Sequence, residues 1–150
     1  MPRSALSHTD IADIFSHVHT IAILGASPTD NRPSHGVMGF LLGKGYHCIP
    51  VNPLHAGEVI LGQRVVASLA DIADPIDMID VFRKPEAFSA VIDEVLALSP
   101  LPRIVWAQKG VGNDDDAARA EAVGITVVLD RCPVSEFPWI WQAARARRSA

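Results

Sequence analysis

The chain has 150 residues, 49% hydrophobic and 20% charged, a soluble globular balance that excludes disordered and fibrous classes and suits a single domain over residues 1–150. Its net charge is −4 and its 13 Lys and Arg are dispersed until Arg145, Arg147 and Arg148, which excludes duplex nucleic acid, a partner held mainly through clustered cations. No apolar run nears the ~20 residues of a membrane span, and two cysteines, Cys48 and Cys132, with neither a C-x-x-C pair nor an amino-terminal secretory segment, point to a reducing cytoplasm rather than a disulfide scaffold or zinc site.

Ser7 to Val18 opens the chain as an amphipathic helix, with Ile11, Ile14, Phe15 and Val18 at helical spacing and Ser7 or Thr9 as its N-cap. Thr20 to Gly25 is a short apolar run closed by glycine, which suits a strand buried on both faces. From Ser34 the period changes: Val37, Met38, Leu41 and Leu42 mark a helix that Gly43 and Gly45 end. His47 to Val51 is the second strand, with Pro50 at its end or at a non-bonded position. The mixed stretch from Leu54 to Val66 predicts only a short edge strand at Arg64 to Val66, then a helical turn at Ser68 to Ile72. Strands at Met78 to Phe82, Arg103 to Trp106 and Ile125 to Leu129 alternate with helices at Pro85 to Leu98 and Asn113 to Val123, and a closing helix runs from Pro133 to Arg148. Such alternation, with connections too long for hairpins, implies a Rossmann-like, doubly wound α/β fold: a mostly parallel sheet of five to six strands flanked by helices.

In an open parallel sheet, ligands bind beyond the carboxyl ends of the strands, near the point where strand order reverses. That rule selects the loops from Gly25 to Ser34, at Asn52-Pro53, from Arg83 to Pro85, and from Gln108 to Asn113. Several lead into helix N-termini, where free N–H groups and the dipole attract anions. Taken singly each is weak: Gly25-Ala26-Ser27 could be only a tight turn, and Arg32, Lys84 and Lys109 solvated charges. Their convergence is the functional signal.

Set against the dinucleotide fingerprint G-x-G-x-x-G, Gly25 leads, but Ser27 and Asp30 stand at the second and third glycine positions. Where a carboxylate would accept both ribose hydroxyls of NAD, the chain has neutral Asn52, which would not repel a phosphate on that ribose. An adenosine with an extra ribose phosphate, as in CoA or NADP, therefore suits the site better than NAD. The ATP-type loop G-x-x-x-x-G-K-[ST] is absent from the sequence.

The order Ile23-Leu-Gly-Ala-Ser27, Arg32-Pro-Ser34, Gly45-Tyr46, Pro50-Val-Asn-Pro53, Asp80-Val-Phe-Arg83, Pro85-Glu86, Trp106, Gln108 and Gly110-Val111 resembles the small stand-alone CoA-binding proteins. These are similar to the nucleotide-binding domain of the succinyl-CoA synthetase alpha subunit, and the resemblance runs from about Thr20 to Cys132. It implies a Rossmann domain that binds coenzyme A with no established catalysis. Gly25, Ala26, Ser27, Arg32 and Ser34 would then hold the phosphates, assisted by the helix N-terminus at Gly36 and Val37. Asn52 and Pro53 would border the adenosine ribose; Val81, Phe82 and Arg83 would wall the adenine or upper pantetheine; Trp106, Gln108 and Gly110 would line the far side. His35 joins the set as a departure, standing where a tyrosine or another larger residue is expected.

The synthetases carry their phosphorylated histidine in a second domain that this chain lacks. Its six histidines, His8, His17, His19, His35, His47 and His55, show neither H-E-x-x-H spacing nor a Ser-Asp partner pattern, and only His35 falls in a candidate loop. Cys132, beside Arg131 and a helix start, is either an inert buried thiol or one able to form a mixed disulfide with CoA. Asp114 to Asp116 fit a first helical turn, where the dipole favours carboxylates, better than a metal site. Phe137, Trp139, Ile140 and Trp141 would cover the sheet or a partner chain, which makes a homodimer a further expectation. The reading is thus a CoA or acyl-CoA binding module acting as carrier, sensor or accessory subunit, with no catalytic or metal-binding residue assigned. The alternative is an NADP-dependent oxidoreductase or CoA-thioester enzyme whose catalytic group the sequence does not disclose.

Overall fold

The computed structural model describes residues 6–137. Helix α1 (His8–Ser16) begins at a capping box: the Ser7 hydroxyl accepts from the Asp10 N–H at 3.1 Å, and the Asp10 carboxylate accepts from the Ser7 N–H at 2.8 Å. Two otherwise free donors are satisfied, and those bonds hold the Asp10 carboxyl below its ordinary range. Ile11 and Phe15, one turn apart, are fully buried.

Strands and helices then alternate: β1 (Thr20–Leu24), α2 (Pro33–Gly43), β2 (His47–Val51), β3 (Val59–Ile60), β4 (Gln63–Arg64), β5 (Met78–Val81), α3 (Phe88–Leu96), β6 (Ile104–Ala107), α4 (Asp114–Glu121) and β7 (Thr126–Leu129). Single 3-10 turns lie at Leu69–Asp71 and Pro85–Ala87, and residues 133–137 are helical. Trp139, Ile140, Trp141 and the arginines at 145, 147 and 148 lie outside the described residues.

The five main strands are parallel in the order β2-β1-β5-β6-β7. Their near-continuous apolar runs require cover on both faces, and every residue of β5 and β6 is buried. Beyond β2, Val66 forms a parallel bridge with Val51: the Asn52 N–H donates to the Val66 carbonyl at 2.9 Å and the Val66 N–H to the Pro50 carbonyl at 3.0 Å. One residue thus stands where the outer strand of the Rossmann order would run. Because the Pro50 carbonyl faces Val66, its missing N–H falls on that outer side, and the ladder to β1 is undisturbed.

The edge strand expected at Arg64 to Val66 is in fact split between this bridge and an antiparallel hairpin of β3 with β4. Its turn, Leu61-Gly62, has φ of 49° and 80°, the type I′ signature that Asn-Gly usually announces. Leucine at the first position hides it from a sequence reading.

Two cores sandwich the sheet. On one face α1, α2 and residues 133–137 bring Phe15, Met38, Leu41 and Phe137 onto Ile23 and Trp106. On the other, α3 and α4 bring Phe88, Val91, Ile92, Ala117 and Ala120 onto Leu24, Val81 and Ala107. The Asn113 side chain caps α4 by accepting from the Asp116 N–H at 2.8 Å. Arg119 pairs with Asp116 at 3.0 Å and with Asp93 of α3, cross-linking the two helices. No group of three His, Cys, Asp or Glu among the described residues is arranged to hold a metal ion. No described helix is long and apolar enough to cross a membrane.

Candidate functional site

Strand order reverses between β1 and β5: the chain leaves β1 for β2 on one side and leaves β5 for β6 on the other. In open parallel sheets this is the point where the loops part and a ligand crevice forms over the carboxyl ends of the two strands. Gly25 sits at its base with φ +91°, and a Cβ on it would stand 2.4 Å from the Phe82 carbonyl oxygen. The backbones of the two loops therefore touch in a way only glycine permits. The Gly25 N–H donates to the Val51 carbonyl at 2.8 Å and the Phe82 N–H to the Leu24 carbonyl at 2.8 Å, so the ends of β2, β1 and β5 are fastened together.

Side chains fix the first loop from beneath. The buried Ser34 hydroxyl accepts from the Ser27 N–H at 3.1 Å, and the Ser27 hydroxyl accepts from the Thr29 N–H at 3.1 Å. Asn52 spans two loops, donating from Nδ2 to the Ala26 carbonyl and accepting at Oδ1 from the Leu54 N–H, both at 2.9 Å. Ser34 and Asn52 thereby shape the loop, a role the sequence reading did not assign. Arg32 is exposed at the N-cap of α2, where Pro33 opens the helix and no side chain caps it. His35 is half-buried with Nε2 3.7 Å from Asp30 Oδ1. Gly36 lies inside the first turn with its N–H donating to the Arg32 carbonyl, and the Val37 side chain is buried in the core. Because the helix starts earlier than Gly36, these two stand behind its end.

Across the crevice Phe82 is half-buried and the Arg83 stem passes over Gly25, its Cδ 3.5 Å from where a Cβ would be. Val81 and Trp106, expected to wall and line the site, are instead fully buried. The pleat turns Val81 toward α3 and α4, and Trp106 toward Phe15, 5.5 Å between ring centroids, with its indole N–H donating to the Arg131 carbonyl. Pro53 and Gly110 are exposed at their strand ends, and the Gly110 N–H donates to Asp130 at 2.8 Å. Cys132 is half-buried, while the neighbouring Arg131 guanidinium is engaged by Glu136 at 3.0 Å and the Leu6 carbonyl at 2.8 Å.

Gln108 donates from Nε2 to Asp80 Oδ1 at 2.6 Å. Asp80 is fully buried, and burial pushes its carboxyl up to about 7 against the lowering effect of that hydrogen bond. Its Oδ2 has no partner. The Cys48 thiol on β2 is pushed up to about 12, first by burial and then by the Asp80 charge. Sequence reading noted Asp80 and Gln108 separately but could not join them. The signal was a carboxylate within the apolar run Met78 to Phe82, since an ionisable group in a doubly covered strand needs a partner.

A family model described as a CoA binding domain matches residues 19–138. The chain belongs to this family of CoA-binding domains. It is 35% identical over 126 residues to the uncharacterized protein YneT of Bacillus subtilis strain 168, covering 84% of this chain and 90% of that one. Among solved structures, a Thermus thermophilus protein described as cell-free ID.343 matches with a TM-score of 0.84 at 39% identity, covering 89% of this chain and 98% of the other. A hypothetical protein from Pyrococcus horikoshii OT3 matches with a TM-score of 0.85 at 30% identity, covering 94% and 96%. The span matched by the CoA-binding domain model contains β1 through β7 and every loop that borders the crevice.

Proposed function

We propose that this CoA-binding domain takes coenzyme A, free or acylated, into the crevice between the β1 and β5 loops and serves as a carrier, sensor or accessory module rather than as an enzyme. The observation that supports the reading is the group of features gathered at that point, a tightly fastened glycine loop, a start of α2 without a side-chain cap and the exposed Arg32, in a chain of the CoA-binding family. A diphosphate suits the loop and helix dipole, and neutral Asn52 beside it accommodates a phosphorylated ribose. A carrier role fits Asp80 as well, because the only carboxyl raised toward neutrality among the described residues is enclosed and out of reach of a substrate.

Calorimetric titration with CoA, acetyl-CoA, NADP and NAD under one salt condition tests the reading. Micromolar CoA affinity, about −8 kcal/mol, with weak NAD binding, supports it. Tight NADP binding without CoA binding would overturn it in favour of a hydride-transfer enzyme, and the CoA and acetyl-CoA arms separate free from acylated ligand.

A further inference from the structure

Asp80 lies in register between Ile23 of β1 and Trp106 of β6, below the mouth of the crevice. The Gln108 NH2 donates to Asp80 Oδ1 at 2.6 Å, an oxygen that accepts both in the ionised carboxylate and in the neutral acid that carries its proton on Oδ2. The rest of the Gln108 amide is then fixed in orientation. Its Oε1 has no hydrogen-bond partner among the described residues and is not sealed from solvent, since Gln108 is only half-buried at the end of β6. A glutamine free to rotate would present donor or acceptor indifferently; this one presents a carbonyl.

The direction of the ligand follows from topology. With the ribose at the end of β2 and the diphosphate over the β1 loop, the remainder runs over β5 and β6. In CoA that remainder is the pantetheine arm, whose polar groups are amides. Resting on the CoA reading, we infer that Gln108 is a specificity-determining residue whose Oε1 accepts a pantetheine amide N–H, and that Asp80 is the positioning residue that holds it acceptor-outward.

The test compares CoA with 3′-phosphoadenosine 5′-diphosphate, which keeps the nucleotide and diphosphate and lacks the arm. For Gln108→Leu, affinity for CoA should fall roughly fivefold, the effect of one net hydrogen bond, while affinity for the truncated nucleotide holds. Asp80→Leu should show the same selective loss, because the released amide turns freely, and Asp80→Asn should recover most of it, because its Oδ1 still accepts the Gln108 N–H. The double variant Asp80→Leu/Gln108→Leu should lose little more than either alone. Should Asp80→Leu fail to fold, Gln108→Leu, on a half-buried residue, still decides. Undiminished CoA affinity in Gln108→Leu, or an equal loss on both ligands, overturns the inference while the CoA reading stands. A wild-type protein that binds neither ligand removes the CoA reading itself.

Discussion

Gly25 meets two constraints at once, a φ of +91° and a carbonyl oxygen 2.4 Å from where a Cβ would stand. Gly25→Ala should therefore destabilise the fold by roughly 2–4 kcal/mol, combining left-handed strain with overpacking; urea denaturation checks this. At Asp80 the sign follows from linkage. A carboxyl that titrates at about 7 when folded, against roughly 3.9 when unfolded, binds more protons in the native state, so its contribution to stability is full below about pH 4 and is lost as pH rises toward 7. Asp80→Asn removes that charge. Its stability relative to wild type should accordingly rise between pH 4 and pH 8 by on the order of 4 kcal/mol, read as two denaturation series; a difference independent of pH would contradict the burial argument. Gly25 was legible in the sequence because a glycine closing an apolar strand has few other uses. The Asp80–Gln108 pair was not, because its members are far apart in the chain and meet only through the pairing of β5 with β6.

Among the elements, those with strong periodicity were read correctly to within a residue or two at most ends. β1, β2 and α2 carry apolar spacing that packing enforces, and Ser7 is one of the two caps expected for α1. The closing glycines act as expected: α2 stops at Gly43, Lys44 takes the C-cap, and Gly45 follows at φ +93° with its N–H donating to the Leu42 carbonyl at 3.0 Å while the Tyr46 N–H donates to the Leu41 carbonyl at 3.2 Å. The β3–β4 hairpin escaped because two-residue strands have no period to detect and Leu61 adopts a conformation its side chain disfavours. Trp106 and Val81 were drawn into the candidate site by their place near strand ends, yet the alternation of side chains along a strand turned both into the cores. Phe15 joins α1 to the sheet, with ring centroids 4.7 Å from Phe137, 5.5 Å from Trp106 and 5.9 Å from Tyr46. Phe15→Ala should cost about 3–5 kcal/mol, seen as a lower thermal midpoint, because both α1 and residues 133–137 lose their shared anchor.

On the scale of the whole molecule, a net charge of −4 gives no general attraction for an anionic ligand. On the proposed reading, affinity for CoA comes from a local arrangement, the α2 terminus and Arg32 above all. Arg32→Ala should weaken CoA binding about tenfold, ~1.4 kcal/mol, and flatten its salt dependence, with folding stability nearly unchanged because the side chain is exposed. Hollows elsewhere provide an internal comparison: one lies between Leu69–Ile76 and Ala97–Pro100, away from the β1 and β5 carboxyl ends. The most direct test of the account is residue-resolved amide chemical-shift perturbation on adding CoA. The largest changes should fall at Gly25 to Ser34, at Asn52, at Phe82 to Lys84 and at Gln108 to Gly110. Changes concentrated around Leu69 to Ile76 and Ala97 to Ser99, or none at saturating CoA, would contradict it.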